Sequence, residues 1–276
     1  MTIRCQSCNR AFERSERDYH YDLRHTKPKQ LRSLLIHEEE SFYVNEVFRD
    51  VCFNIFMNNL RLSISQIGAR RFVDVGSGNG DYGNLLGGLV RDYVGLEPSD
   101  IPSARLAKMV PESKITLLHY DLDGPLPIMD GEAGVVSFIA SYDHLADRRK
   151  VIEEAVRILA PGGYLLIAMT NYEFWLKRLL NRLGRKERFK HEHEHYCVHS
   201  PSSLGLEIRG FCREMEIYDV RADFWYVPNL PRCFAWLYFN RAMLVWANRC
   251  LSVVIHKFFR MRDAGASMVV TFRKEK

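Results

Sequence analysis

The chain has 276 residues, of which 47% are hydrophobic and 26% charged. This composition excludes a disordered chain and leaves room for one α/β domain with additions or for two small domains. Lys and Arg exceed Asp and Glu by 39 to 34, a net charge of +5 that suits anionic substrates or a membrane surface but does not by itself indicate nucleic acid. The seven scattered cysteines do not form a disulfide framework, so we expect a cytoplasmic protein.

Residues 1–37 form a predicted basic N-terminal arm that contains Cys5-x-x-Cys8. With His20 and His25 these cysteines approximate a zinc-finger spacing. The interval between Cys8 and His20 is one residue short, and the apolar residue expected before the first histidine is missing. A zinc site and an arm without metal therefore both remain open, and we assign no metal ligand.

The second predicted unit, residues 38–276, begins with a helix over 38–60, where apolar residues recur at helical spacing. Strands and helices then alternate, which predicts a parallel sheet with helices on both faces. The predicted strands are 71–76, 92–98, 115–122, 134–141 and 164–170, and the predicted helices are 81–90, 103–110 and 147–163. Ligands of such sheets bind at the carboxyl ends of the strands.

The regular alternation of predicted strands and helices ends after Thr170. A capped helix and a sixth strand are predicted within 200–220, and a last strand over 266–275. An apolar, aromatic segment with interspersed arginines, residues 224–263, is inserted between these two strands. We predict that this insert is either a lid over the substrate or an element lying on a membrane interface.

A glycine-rich turn follows the first predicted strand. Gly78, Gly80 and Gly83 fit the dinucleotide pattern G-x-G-x-x-G, which would indicate a nicotinamide oxidoreductase. A pyrophosphate, however, prefers helix amides without neighbouring carboxylates, whereas Asp74 and Asp81 flank this turn. The acidic surroundings favour a cationic nucleoside without phosphate, which describes S-adenosylmethionine.

Several motifs of the chain resemble, in order, those of class I S-adenosylmethionine-dependent methyltransferases. They are "VDVGSGNGDYG" (73–83), "VGLEPS" (94–99), "HYDLDGPLPI" (119–128), "SFIASYDHLAD" (137–147) and "ILAPGGYLLIA" (158–168). The resemblance implies an α/β fold, a Rossmann-like seven-stranded and mostly parallel sheet whose last strand is antiparallel. It implies S-adenosylmethionine as the cofactor, with Glu97 on the ribose hydroxyls and Asp121 at the adenine amino group. The cofactor-binding residues it implies are Asp74, Gly76, Ser77, Gly78, Gly80, Glu97, Pro98, Asp121, Leu122 and Ser141.

Two histidines are candidates for catalysis. A hydroxyl acceptor needs a general base that titrates near neutral pH, and histidine meets this need. His144 follows the fourth predicted strand, and His195 matches a histidine that precedes a helix leading to Gly-Phe in small-molecule and glycan-modifying members. His195 also belongs to an alternating run, "HEHEHYCVH" (191–199), which predicts either a metal-binding strand face or a solvated loop.

We expect methyl transfer to a small-molecule, glycan or lipid-linked acceptor, with peripheral membrane contact through the apolar insert and the basic segment 177–190. The motifs of amino-methylating and cytosine-methylating DNA enzymes are missing from the sequence, which argues against a nucleic-acid substrate. Two alternatives remain open at this point: a non-catalytic binding protein that keeps the fold, and the NAD(P)-dependent oxidoreductase.

Overall fold

A computed structural model gives the architecture of the chain. The residues it describes are 2–4, 11–13, 20–22, 46–68, 71–78, 80–90, 92–98, 115–119, 125–171, 173–174, 178, 182, 197, 199–223, 240–258, 263 and 265–275. The predicted helix 103–110 lies outside these residues, as does the rest of the segment 99–114 between the second and third predicted strands.

Ten strands and five α-helices are assigned in the described part of the chain. The strands are β1 (Thr2–Arg4), β2 (Ala11–Glu13), β3 (His20–Asp22), β4 (Arg71–Val75), β5 (Asp92–Glu97), β6 (Ile115–His119), β7 (Ala133–Ile139), β8 (Leu159–Thr170), β9 (Met215–Asp223) and β10 (Ser267–Lys274). The α-helices are α1 (Glu46–Ile67), α2 (Asp81–Leu86), α3 (Arg148–Ile158), α4 (Pro201–Phe211) and α5 (Arg241–Phe258). Two short 3₁₀ helices cover Gly87–Leu89 and Tyr142–His144.

The main sheet has the order β3-β6-β5-β4-β7-β8-β10-β9. β3 to β8 run parallel, and β10 is antiparallel to both β8 and β9. The fold class and the antiparallel last strand are therefore as predicted. The predicted number of seven strands was wrong by one, because the N-terminal arm adds β3 at the edge. A strand of three residues is too short to show an alternating pattern in the sequence.

The chain order reverses at the centre of the sheet, between β4 and β7. β5 and β6 follow on one side of β4, whereas β7 and β8 lie on the other side. Such a switch point opens a crevice at the carboxyl ends of the two central strands. The candidate site should therefore lie where β4 and β7 end.

Two hydrophobic clusters cover the two faces of the sheet. One contains Val73 and Val75 of β4 together with apolar residues of α3 and α4. The other contains Phe72 of β4 with residues of α1 and α2. Since neighbouring residues of a strand point to opposite faces, this division places helices on both faces, as predicted.

Three predicted helices end at a different residue in the structure. The described part of α1 runs on to Ile67 instead of ending at residue 60, and it stops at Gly68, whose φ of 59° suits a helix C-terminus. The predicted helix 81–90 changes to a 3₁₀ turn after Leu86. The predicted helix 147–163 ends at Ile158, because Leu159 already pairs with Ala133 and the Pro-Gly-Gly turn belongs to β8.

Among the helices of the described residues, none combines the length and the hydrophobicity of a membrane-spanning segment. Of the four residues in the zinc-like pattern, His20 lies in β3, and Cys5, Cys8 and His25 fall outside the described residues. Within the described ranges no cluster of three or more His, Cys, Asp or Glu side chains could hold a metal ion. The division of the chain at residues 37 and 38 stays a prediction.

Candidate active site

A left-handed glycine turn follows β4 at the switch point. Gly76, Gly78 and Gly80 have φ values of 75°, 55° and 74°. Residues other than glycine rarely adopt this region of backbone conformation. The Gly76 and Ser77 N–H groups both donate to the Leu96 carbonyl, at 2.7 and 3.1 Å. The turn is therefore anchored to β5, and its glycines are required by the backbone conformation.

Gly76 is also required by the approach of the neighbouring strand. A Cβ atom at this position would lie 2.5 Å from the Ser141 Cβ atom, closer than two carbon atoms can pack. The Ser141 hydroxyl in turn donates to the Val75 carbonyl at 2.6 Å. Ser141 thus joins the ends of β4 and β7 across the switch point. The residue before it, Ala140, has a φ of 53°, which is strained for alanine and marks this strand end as a constrained position.

Glu97 closes the glycine turn from the end of β5. Its carboxylate is buried and accepts a hydrogen bond from the Gly78 N–H at 2.8 Å. No heavy atom lies within 4 Å of the place that a Cβ atom on Gly78 would occupy. A bare backbone next to open space and a buried carboxylate suit a nucleoside with ribose hydroxyls, because hydrogen bonds to a carboxylate are charge-assisted and strong. The residues present therefore fit the predicted cofactor.

Asp74 lies in the interior of β4 with none of its surface exposed. Its carboxylate accepts hydrogen bonds from the Tyr93 hydroxyl at 2.5 Å and the Ser137 hydroxyl at 2.7 Å. Burial raises the pKa of Asp74 to about 7, the nearby Glu97 charge adds to the rise, and the two hydrogen bonds oppose it. Gly83 leaves room for this network, since a Cβ there would lie 2.9 Å from the Tyr93 ring.

The protonation of Asp74 predicts a pH-dependent stability. The folded chain keeps the proton up to about pH 7, whereas an unfolded aspartate loses it near pH 4, so stability falls as the pH rises between these values. Between pH 5 and 7 this carboxyl group should lower the free energy of unfolding of the wild type by about 2 to 3 kcal/mol. Asp74→Asn lacks the titrating group, so its free energy of unfolding should fall by that much less over the same pH range. Urea unfolding at pH 5, 6 and 7 measures the difference. Asp147→Asn keeps a side chain that can cap α3 and should retain the wild-type slope; an unchanged slope in Asp74→Asn would contradict the prediction.

The remaining predicted residues are distributed as follows. Ser77 is buried in the turn, and Pro98 is partly buried directly after β5. His144 ends the short helix after β7, with its Nε2 atom 3.9 Å from the Asp143 carboxylate. Asp121, Leu122 and His195 lie outside the described residues. The structure thus brings Gly76, Ser77, Gly78, Gly80, Glu97 and Ser141 together, with Asp74 beneath them, and places His144 on the adjacent turn.

A second polar cluster next to this turn was not predicted. Glu207 of α4 accepts hydrogen bonds from the Tyr142 hydroxyl at 2.9 Å and the Arg148 Nε at 2.8 Å, and its other oxygen lies 2.7 Å from the His199 Nε2. Burial alone would raise the pKa of Glu207, but the three partners outweigh it and lower the pKa to about 2. Burial also raises the pKa of Cys197 to about 12, so this thiol is not a nucleophile near neutral pH.

The cluster attaches α4 to the segment that carries Ser141 and His144. It gives His199 a structural partner, whereas His191, His193 and His195 of the alternating run lie outside the described residues. The sequence held one usable signal for this region, the Ser200-Pro201-x-Ser203 start of α4, which forms a capping box. The ionic partners of Glu207 are distant in sequence and could not be assigned to each other.

Removing the Glu207 charge should destabilise the chain. Glu207→Gln keeps the size of the side chain but loses one acceptor and the charge, and at pH 7 we expect a loss of about 2 kcal/mol in the free energy of unfolding. The lowered pKa means that this contribution is complete above about pH 4.5 and disappears as the pH falls towards 2. Chemical unfolding at pH 7 and pH 3 tests both statements.

The matched control for that change is Glu153→Gln. Glu153 pairs with Arg149 on the exposed side of α3, and such surface pairs contribute little to stability. If the Glu207→Gln and Glu153→Gln variants had the same free energy of unfolding at pH 7, the charge of Glu207 would not contribute to stability and the prediction would be wrong.

The fold and the site define the class of this protein: it has the architecture and the glycine-and-acid turn of class I S-adenosylmethionine-dependent methyltransferases. A family model described as a methyltransferase domain matches residues 45–211, more than half of the chain, and the chain belongs to this family. The predicted class and the predicted cofactor, S-adenosylmethionine, are thereby confirmed.

Two curated relatives are similar over part of their length. A "Probable S-adenosylmethionine-dependent methyltransferase" of Mycolicibacterium smegmatis is 28% identical over 102 residues, 37% of this chain and 38% of that protein. A 2-methyl-6-phytyl-1,4-hydroquinone methyltransferase of Synechocystis is 26% identical over 182 residues, 60% of this chain and 51% of that protein. The chain therefore spans about half or less of the length of these relatives.

Solved structures show the same fold. The N-methyltransferase NodS of Bradyrhizobium japonicum, in complex with S-adenosyl-L-homocysteine, superposes with a TM-score of 0.53 over 89% of this chain and 98% of its own, at 14% identity. This likeness supports the architecture, and at this identity it carries no information about the acceptor.

Proposed function

We propose that the chain transfers a methyl group from S-adenosylmethionine to a small-molecule, glycan or lipid-linked acceptor. The observation that carries the proposal is the turn after β4, where left-handed glycines, the Glu97 carboxylate and Ser141 converge at the switch point of the sheet. When bound, the cofactor supplies a methyl group activated by a positively charged sulfur. The contribution of the protein is then mainly binding and orientation.

The described residues have distinct proposed roles. Gly76, Gly78 and Gly80 bring bare backbone to the cofactor, and Glu97 accepts hydrogen bonds from its ribose. Asp74 has no exposed surface, so its proposed role is to fix the turn through Tyr93 and Ser137. Ser77, Pro98 and Ser141 are proposed walls of the site, and Asp121 and Leu122 are proposed contacts to the adenine.

His144 is our proposed general base. It follows β7 at the carboxyl end of the sheet and keeps part of its surface accessible beside the buried Asp143. A neutral imidazole at this place could remove a proton from an acceptor hydroxyl. His195 is a second proposed acceptor contact.

We favour a hydrophobic or lipid-linked acceptor, which includes peripheral contact of the chain with a membrane. Two observations support this preference. The curated relative that matches the larger part of this chain is named for a phytyl hydroquinone. The described part of the insert before β10 is a helix with several exposed apolar side chains, the property expected next to an apolar substrate or a lipid surface.

The test uses the purified full chain and two measurements. Calorimetry with S-adenosylhomocysteine and, separately, NADH tests cofactor choice, and we expect heat only from the first ligand. Methyl-labelled S-adenosylmethionine is then incubated with the protein and with lipid and polar extracts of cells that lack the gene. We expect label in the lipid fraction, and much less label with a Glu97→Gln variant at the same concentration of cofactor.

Each outcome separates the alternatives. Binding of S-adenosylhomocysteine without any labelled product would favour the non-catalytic binding protein. Heat with NADH alone would favour the oxidoreductase and overturn the proposal. Label confined to the polar fraction would support methyl transfer and contradict the lipid-linked acceptor.

A further inference from the structure

The helix α5 presents apolar side chains to solvent. Trp246 is 61% exposed, Val253 59% and Val254 41%. They are separated by seven and eight residues, which is about two turns, and therefore lie on the same side of the helix. Arg249, Cys250 and Lys257 are exposed on this side as well. We call the surface formed by these six residues the outer face of α5.

The opposite side of α5 packs against α1. The polar Asn248 and Ser252, which helical spacing places opposite the outer face, are half-buried, whereas Trp246 and Val253 are exposed. The usual arrangement of a surface helix, with its polar side in water, is thus partly reversed. Exposed apolar side chains that cluster on one face indicate a contact surface rather than chance exposure.

The charge of α5 indicates what this surface contacts. The helix contains Arg241, Arg249 and Lys257 and has no Asp or Glu in its 18 residues. Arg249 lies between Trp246 and Val253 along the helix, and Lys257 follows Val254 by one turn. A tryptophan between long cationic side chains suits the boundary of a lipid bilayer, where the ring lies among the headgroups and the cations reach the lipid phosphates. Basic residues near an anionic leaflet each add about 1 kcal/mol of attraction.

We propose that the outer face of α5 binds the surface of an anionic phospholipid membrane, with Trp246, Val253 and Val254 inserted and Arg249 and Lys257 at the phosphates. The helix would lie in the plane of the membrane. The inference names a surface and a lipid charge for the membrane contact included in the proposed function, but binding to vesicles requires neither cofactor nor acceptor. Its outcome is therefore independent of the outcome of the methyl-transfer experiment.

Vesicle flotation of the full chain tests the proposal. The vesicles contain phosphatidylcholine alone or with 30% phosphatidylglycerol, a composition chosen for roughly physiological charge. We expect the wild-type chain to float with the anionic vesicles and not with the neutral ones, and to be released by high salt. The double variant Trp246→Ser/Val253→Ser should lose at least about tenfold in the bound fraction, since each change removes inserted apolar surface.

Two further variants make the experiment decisive. Arg249→Gln/Lys257→Gln should weaken binding to anionic vesicles by roughly thirtyfold, because two attractions of about 1 kcal/mol each are lost. Leu206→Ser removes an exposed leucine, 75% accessible, from α4 and should bind as the wild type does. Circular dichroism and the thermal unfolding midpoint of each variant check that it is folded, without the need for a bound cofactor.

Three results would overturn the proposal. The first is a wild-type chain that floats with neither the neutral nor the anionic vesicles. This result would favour a protein partner for the outer face of α5. The second is equal flotation with neutral and anionic vesicles. The third is a folded Trp246→Ser/Val253→Ser variant that floats as well as the Leu206→Ser variant.

Discussion

Replacing Gly76 with alanine is expected to abolish measurable binding of S-adenosylhomocysteine by the full chain. The new Cβ atom would lie 2.5 Å from the Ser141 Cβ, so β4 and β7 would have to separate at the switch point. The φ of 75° adds strain of about 1 to 2 kcal/mol for any residue other than glycine. Because the turn that would hold the cofactor begins here, we expect a loss of at least about a thousandfold in affinity by calorimetry, which corresponds to about 4 kcal/mol.

Two comparisons separate this effect from a general loss of stability. Gly88→Ala adds a methyl group where no atom lies within 4 Å, and it should bind as the wild type does. Ser141→Gly combined with Gly76→Ala removes the clashing atom, since the next contact would be the Ser141 Cα at 3.9 Å, and part of the affinity should return. A Gly76→Ala chain with wild-type affinity would show that the strand ends are not part of the cofactor site.

Glu97→Gln is expected to weaken cofactor binding by about a hundredfold. The glutamine keeps the length of the side chain and can still accept from the Gly78 N–H, but it loses the negative charge that strengthens hydrogen bonds from the ribose hydroxyls. Hydrogen bonds to a charged group contribute about 1.5 to 3 kcal/mol, of which the neutral amide recovers only a part. Calorimetry with S-adenosylhomocysteine and the rate of methyl transfer measure the loss.

The control for this change is Glu132→Gln. Glu132 precedes β7, at the opposite end of the sheet, and pairs with Arg71 at the beginning of β4, away from the glycine turn. Its loss should leave cofactor affinity unchanged. If Glu97→Gln bound the cofactor as tightly as Glu132→Gln does, the ribose role of Glu97 would be wrong, and the carboxylate would serve only to hold the Gly78 N–H.

The sequence predicted the sheet because its signals are local and repeated. The seven predicted strands are found close to their expected positions, and the described helices between them lie on both faces. The errors fall where local pattern and tertiary pairing disagree. Leu159 continues the helical pattern of α3, but its pairing with Ala133 makes it the first residue of β8. The strand His20–Asp22 is recognisable only through its partner β6.

The candidate site was predictable to the extent that its residues lie in contiguous motifs. The glycines were identified from the turn signal after the first strand, and Glu97 from the resemblance of "VGLEPS" to a family motif. The structure places the Glu97 carboxylate in contact with the Gly78 N–H. The partners of Asp74 could not be found in this way, since Tyr93 and Ser137 reach it from two different strands. The Glu207 cluster was missed for the same reason, because it joins residues of α4, α3 and the turn after β7.

The strand β3 has a practical consequence for anyone who shortens the chain. Its three residues pair in parallel with Leu117, Leu118 and His119 and thereby cover the backbone of β6, which would otherwise form the rim of the sheet. A protein beginning after residue 22 would expose that rim, and uncovered strand backbone is a template for self-association. Truncations that remove β3 are therefore expected to lower the solubility of the protein.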